Sequence, residues 1–412
     1  DLKNMGFSDP SKVSVHGYGG WPLDEDFSKE YIDDVPSTPV WRGSDYLLFY
    51  GKGPVKWEYD SSSQTFVHTN NPYSLYGYYF VTDATPTNDM TSVAQASGAT
   101  NRITTYDDYL VHEQELVSLA KSGRELYGED FSGATPRTLS TFSSIPGITN
   151  EDAKVTMSFV SKVTSGTGVA SLSINQSNVL DVSIRSNREE YVKALEGVST
   201  AVWKGEKSEK NSVVVSYNSA SHNNVRLNYV RLHFKRTLQP YGAYTFFRSI
   251  ASIGNVSRFV VQGANANTLV FDVTDAQRVR LMETELNGSE LTFSIPAGTL
   301  REFVLVRTDQ SFISPEVVGE VENQNLHALE QKDMIIIAAK AFQTQAERLA
   351  EEHRATDGLT VEVVDPQSIY NEFSSGAPDA TAYRRFMKMF YDRSVSAGNA
   401  PKYLLLFGDG IY

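Results

Sequence analysis

The hydrophobic period of this chain switches once, near residues 315–332, and that switch constrains its fold more than any other feature. Before it, small polar and apolar residues alternate in runs bounded by Gly, Pro, Asn and Ser, the pattern of half-buried strands. Thr156-Met157-Ser158-Phe159-Val160, Ala170-Ser171-Leu172-Ser173-Ile174 and Ser212-Val213-Val214-Val215-Ser216-Tyr217 are such runs, and residues 225–234 alternate throughout. Further strands are expected over 258–262, 268–272 and 302–307. Strands at this spacing predict a β-sandwich of jelly-roll type over 133–314. After the switch, Met334-Ile335-Ile336-Ile337-Ala338 is apolar without interruption, as in a strand covered on both faces. Phe342, Ala346 and Leu349 then follow at i, i+4 and i+7, predicting a helix over 342–354 that ends near Gly358. A strand is expected over 359–364, and Asp379 is placed to cap a helix over 380–393 with Tyr383, Phe386, Met387 and Phe390 on its apolar face. Tyr403-Leu404-Leu405-Leu406-Phe407 reads as a third buried strand, followed by Gly408-Asp409-Gly410. The order β-α-β-α-β opens a parallel sheet and stops where such a domain is about half complete.

Residues 1–132 read as a β-rich N-terminal domain. Short aromatic runs around Val13-Ser14-Val15-His16, Tyr46-Leu47-Leu48-Phe49, Trp57-Glu58-Tyr59 and Tyr78-Tyr79-Phe80-Val81 are separated by Gly/Pro turns, which suggests an antiparallel sheet. Leu110, Leu116 and Leu119 lie near helical spacing, so one helix is expected over 106–120. The division is therefore 1–132, a sandwich over 133–314, a polar linker over 315–332, and the first half of an α/β unit over 333–412. At 412 residues, the chain is long enough for roughly two to four domains.

Charge and composition narrow the function. A net charge of −13 repels nucleic acid and anionic membrane surfaces, and no run approaches the roughly eighteen apolar residues of a membrane helix. There is no cysteine, which removes disulfides, thiolate metal sites and a cysteine nucleophile from these residues. The chain opens at Asp1 with no signal peptide, as a processed or trimmed chain does. Its 22 tyrosines and many Ser/Thr/Asn turns suit an extracellular β protein.

No G-x-S-x-G, Walker or H-E-x-x-H motif is present; after His112-Glu113 the second zincin histidine position is Leu116. Asp24, Asp26, Asp33 and Asp34 lack EF-hand spacing, so no calcium motif is supported and no cofactor is expected. The glycines at 17, 19, 20, 51 and 53 read as turn glycines. Three residues stand out. Arg124, in the polar-aromatic segment 122–129, reads as a turn residue paired to a carboxylate or as part of a partner loop. His327 follows Asn323-Gln324-Asn325, whose amides are suited to tying two domains together. Asp409 follows a parallel strand, at the end of the sheet where open α/β folds bind ligands.

Taken together, Asp1-Leu2-Lys3-Asn4-Met5-Gly6-Phe7, Gly17-Tyr18-Gly19-Gly20, segment 45–50, Asn71-Pro72-Tyr73, Gly77-Tyr78-Tyr79-Phe80, segments 122–131 and 323–329, and Tyr403-Leu404-Leu405-Leu406-Phe407-Gly408-Asp409-Gly410 resemble the gingipain-type cysteine peptidases, in particular the subgroup acting in type IX secretion. The matches run in order along nearly the whole chain, while the central sandwich adds little to them. The resemblance implies a β-rich N-terminal region followed by a caspase-like domain with a His–Cys dyad, in which imidazole lowers the thiol pKa. It places both catalytic residues beyond Tyr412, so no catalytic residue is carried over and this chain is expected to be an internal fragment, inactive alone. It further implies an exported protein at the bacterial outer-membrane surface or beyond. Its substrates would be proteins whose C-terminal signals are cleaved, and it would have an outer-membrane protein partner. A non-enzymatic surface module binding glycan or protein is the alternative, and a structural surface protein a third.

Overall fold

The computed structural model describes residues 1–121, 123–133, 135–219, 221–395 and 398–409. Before residue 315 the regular structure among the described residues is strand, apart from three short 3-10 turns, as the alternation demands. Nine strands form one sheet in the order Leu195–Trp203, Ala153–Val163, His222–Thr237, Thr105–Glu113, Tyr244–Arg248, Glu302–Arg307, Thr268–Asp272, Arg280–Met282 and Ser92–Val93. All neighbours are antiparallel except the last pair.

Two four-stranded sheets cover one side of this long sheet, so the expected sandwich is realised as two cores rather than one. Arg137–Thr138, Val213–Asn218, Thr167–Ile174 and Ser177–Arg185 face its first half and enclose Met157, Phe159, Leu172, Val182, Val215, Leu227 and Phe234. Glu285–Asn287, Glu290–Ala297, Asn255–Val261 and Asn101–Ile103 face its second half around Phe247, Phe259, Phe293 and Phe303. In that second core Phe259 stacks on Phe293 at 4.9 Å and Phe247 on Phe303 at 5.2 Å.

The helix expected over 106–120 is absent. Its first half is the strand Thr105–Glu113, paired with His222–Thr237 at nine consecutive positions in the middle of the long sheet. Leu110, Leu116 and Leu119 share a helical spacing, but Tyr106, Tyr109 and Val111 favour a pleated surface, and tertiary pairing overrides so weak a local preference. Leu116 is exposed.

The two halves of the nine-stranded sheet meet at one paired position among the described residues, Asp107 opposite Arg248. Both side chains are buried. Asp107 accepts from Lys235 Nζ at 2.8 Å, His233 Nε2 at 3.0 Å and the Ile250 amide at 2.7 Å. Arg248 donates through Nε to Glu302 at 2.7 Å, and its guanidinium lies 4.4 Å from the Tyr109 ring centroid. These contacts offset the desolvation of two buried charges that would otherwise be prohibitive.

The N-terminal segments pack on the other side of the long sheet. The hairpin Val55–Asp60/Thr65–Asn70 lays Trp57 on Tyr109 at 4.0 Å and Phe66 against His233 at 5.0 Å. Val40–Arg42 and Leu47–Phe49 bring Trp41 and Leu48 against Phe271, Val304 and Val306. Ser14–His16 pairs with Ser37–Thr38 and Phe80–Thr82. Gly20 and Gly77 cross so closely that a Cβ on Gly20 would lie 2.8 Å from the Gly77 Cα, a crossing only glycine allows.

The terminal unit has the expected topology. Val361–Val364, Met334–Ala338 and Tyr403–Phe407 form a parallel sheet in that order. Helix α1 (Gln343–Thr356) covers one face, where Met334, Ile336 and Ala338 meet Ala346 and Ala350, and it ends before Gly358 in a left-handed conformation at φ +67. Helices α2 (Pro366–Phe373) and α3 (Ala380–Ser394) cover the other, where Ile335 and Ile337 meet Ile369, Phe373, Phe386 and Phe390. Asp379 caps α3 through the Thr381 amide at 2.7 Å. Helix α2 was not foreseen, although Asp365-Pro366 is a start signal: Asp365 accepts from the Gln367 amide and Pro366 takes the first helical position. Tyr403–Phe407, expected to be buried, is instead largely exposed at Tyr403, Leu404 and Leu406, because it is an edge strand among the described residues.

Candidate functional site

The carboxyl ends of the three parallel strands define the ligand end of this unit. Asp409 lies there, exposed, after Gly408, while Gly410 falls outside the described residues. Asp365 sits on the same rim but is spent on capping α2. A carboxylate on such a rim orients a substrate or polarises a base. It does not attack a carbonyl, and these 412 residues contain no cysteine thiol to do so.

His327 lies away from that rim, where residues 324–329 cross α2. The Asn325 side chain caps the short 3-10 turn Leu326–Ala328, fixing the backbone that carries the ring. The imidazole stacks on Phe373 at 4.6 Å, places Nδ1 2.6 Å from Glu372 Oε2 and Nε2 3.1 Å from Asp33 Oδ1. Glu372 is 7% exposed and also accepts from the Leu326 amide at 2.6 Å, the His327 amide at 3.2 Å and Gln324 Nε2 at 2.8 Å. Gln324 donates to the Ser368 carbonyl as well, at 2.7 Å, so the amide-rich segment ties the linker to α2. Two ring nitrogens facing two carboxylates is the donor pattern of an imidazolium. Burial opposes that charge, but Glu372 and Asp33 outweigh it and hold the His327 pKa above its ordinary value. One ligand atom each from Asp34, His327 and Glu372 lies within 4.8 Å of the others, the one grouping of its kind among the described residues.

Residues 17–35 form a strap that docks the terminal unit on the N-terminal strands. The Tyr18 amide donates to Ser375 Oγ at 3.2 Å, and Ser375 Oγ donates to the Tyr78 carbonyl at 3.0 Å. The Leu23 amide donates to Asp379 at 3.3 Å; burial raises the Asp379 pKa, and its amide partners offset this only in part. Arg384 lies over Phe27 at 4.6 Å and Arg385 over Tyr31 at 4.7 Å. Arg124 pairs with Glu25 of the same strap and lies 5.6 Å from the Tyr73 ring; Ser122 falls outside the described residues. His327 and Arg124 thus engage the strap at different acids, and neither joins Asp409 on the rim. His112 is held by Glu129 at 2.6 Å and Thr141 at 2.9 Å, while Glu113 pairs with His68. Sequence reasoning missed Glu372 because it sits in the last turn of a helix that was not foreseen.

Residues 327–412, which hold the parallel sheet, match the model of peptidase family C25. This unit is related to the cysteine peptidases of that family, the gingipain family. No curated protein sequence matches the chain. Among solved structures, dimeric latent PorU from Porphyromonas gingivalis superposes with a TM-score of 0.92 and 33% identity over 99% of this chain and 40% of that one. The chain therefore spans less than half the length of that relative. A cycloisomaltooligosaccharide glucanotransferase from Paenibacillus sp. overlaps at a TM-score of 0.15 and 9% identity, too low to bear on the fold.

Proposed function

We propose that this chain is the N-terminal scaffold, with the opening half of the catalytic sheet, of a gingipain-like cysteine endopeptidase that serves as a type IX secretion sortase, removing C-terminal signals from cargo proteins at the outer-membrane surface. The observation that carries this reading is the similarity to PorU along 99% of the chain at 33% identity. The open edge of Tyr403–Phe407 adds to it, since an apolar parallel strand left half-exposed is completed by further strands. In this reading the His–Cys dyad comes from those further strands, and residues 1–332 position and shield the peptidase unit and dock an outer-membrane partner. The domain division follows the same logic: strap and hairpins, paired sandwiches, linker, and peptidase unit from about residue 333.

The test compares two proteins under reducing conditions. The chain extended through the rest of the C25 domain should cleave peptides carrying a cargo C-terminal signal, with the activity blocked by thiol reagents. Residues 1–412 alone should cleave neither these peptides nor casein. Thiol-sensitive turnover by residues 1–412 that survives repurification would overturn the division of labour. Failure of the extended protein to cleave any peptide would favour a non-enzymatic surface module.

A further inference from the structure

Asp33, Asp34, His327 and Glu372 bring three carboxylates around one imidazole, drawn from the strap, the linker and α2. Of the neighbouring cations, Arg385 donates to the Ile32 carbonyl at 3.2 Å, Arg393 donates to the His327 carbonyl at 2.6 Å, and Lys388 pairs with Asp392.

The geometry is that of an oriented ligand set. Phe373 fixes the plane of the ring, and two backbone amides with Gln324 fix the Glu372 carboxylate, so both donors are held before any ion arrives. Nε2, the nitrogen facing away from Glu372, bonds Asp33 at 3.1 Å. A histidine that binds metal through one nitrogen commonly donates its other N–H to a carboxylate, which sets the tautomer and raises ligand basicity. Asp34 completes the set from an exposed position on the strap.

We propose that His327 Nδ1, Glu372 Oε2 and the Asp34 carboxylate bind a divalent transition-metal ion, with Zn2+ the best match for one imidazole and two carboxylates, and that Asp33 is the positioning residue on Nε2. The ion takes the place of the Nδ1 proton, which leaves to solvent, and water fills the remaining coordination position. Such a site is structural: it cross-links the strap, the linker and α2, and so fixes the peptidase unit on its scaffold. It stands independently of the sortase reading.

The test uses residues 1–412 freed of metal by chelation, then dialysed near neutral pH against ZnCl2. One Zn2+ should bind per chain. Asp34→Asn, an exposed change that leaves the metal-free fold intact, should weaken binding about 10-fold or more, as should His327→Gln, and Asp33→Asn about 10-fold through the lost outer hydrogen bond. His353→Gln, on α1, should leave it unchanged. Zn2+ should raise the thermal midpoint of the unaltered chain but not of Asp34→Asn, and Co2+ should give visible d–d bands that Asp34→Asn abolishes. No uptake by the unaltered chain, or uptake undiminished in both Asp34→Asn and His327→Gln, would overturn the proposal.

Discussion

Met334–Ala338 and Tyr403–Phe407 are neighbouring strands of equal length and similar apolar content, paired residue for residue, yet they meet different surroundings. Every residue of the first is buried, between α1 on one side and α2 and α3 on the other. In the second, Leu406 is 58% exposed. The same contrast separates the sandwiches from the terminal unit. The long sheet is covered on one side by two smaller sheets and over part of the other by the N-terminal hairpins, whereas the parallel sheet leaves its Tyr403–Phe407 edge uncovered among the described residues. An apolar run records that a strand expects covering on both faces; the cover itself comes from other elements.

Substitutions sharpen this contrast. The largest effect is expected where the two sandwiches join. Asp107→Asn leaves Lys235 and His233 short of a buried counter-charge and should cost about 4 kcal/mol in urea unfolding near neutral pH. The pH dependence has a definite sign. Burial pushes the Asp107 carboxyl up, but His233, Lys235 and the Ile250 amide outweigh it and hold its pKa below the ordinary value. Its stabilisation is therefore complete above the unfolded carboxyl value of about 4 and is lost as pH falls through the lower folded value. The urea midpoint of the unaltered chain should drop over that acid range more steeply than that of Asp107→Asn; equal slopes would show that Asp107 is not the linked group.

Phe293→Ala removes a ring stacked in the second core and should cost about 3–5 kcal/mol, with amide exchange rising first in the strands around Phe259 and Phe303. Phe386→Asp puts a charge between α3 and the parallel sheet and should cost about 3 kcal/mol or more. Loss of exchange protection confined to residues after about 320 would bear out a separate terminal unit, and equal loss across the sandwiches would show one cooperative block. At the small end, Ile336→Val in the covered strand should cost about 1 kcal/mol, and Leu406→Val in the open strand within about 0.5 kcal/mol. Equal costs would break the comparison and place a partner on the open edge.

The terminal unit was legible because its signals agree: a continuous apolar run, a C-terminal glycine at 358 and an N-cap at Asp379 all point the same way. The strand content of the sandwiches was legible for the same reason, but their division into two cores was not, since alternation shows which residues face inward and not which sheet they face. The false helix over 106–120 came from three leucines read without partners, where nine cross-strand pairs decide. At the junction, the Asn323-Gln324-Asn325 amides announced a tie, and His327 was singled out, but Glu372 and Asp33 lie 45 and 294 positions from it in sequence. Such contacts are set by tertiary packing and leave no local pattern.

The single pairing of Asp107 with Arg248 also has a mechanical side. A β-ladder resists bending through many parallel bonds, each carrying a share of the load; a sheet crossed at one position behaves as two plates on a pin. The pin is a main-chain pairing flanked by buried ion pairs, Asp107 with Lys235 and His233 and Arg248 with Glu302, so added salt should soften it little, whereas protonating Asp107 should loosen it. Tension applied across the long sheet would concentrate there, and the two sandwiches would part along that line before either ladder unzipped.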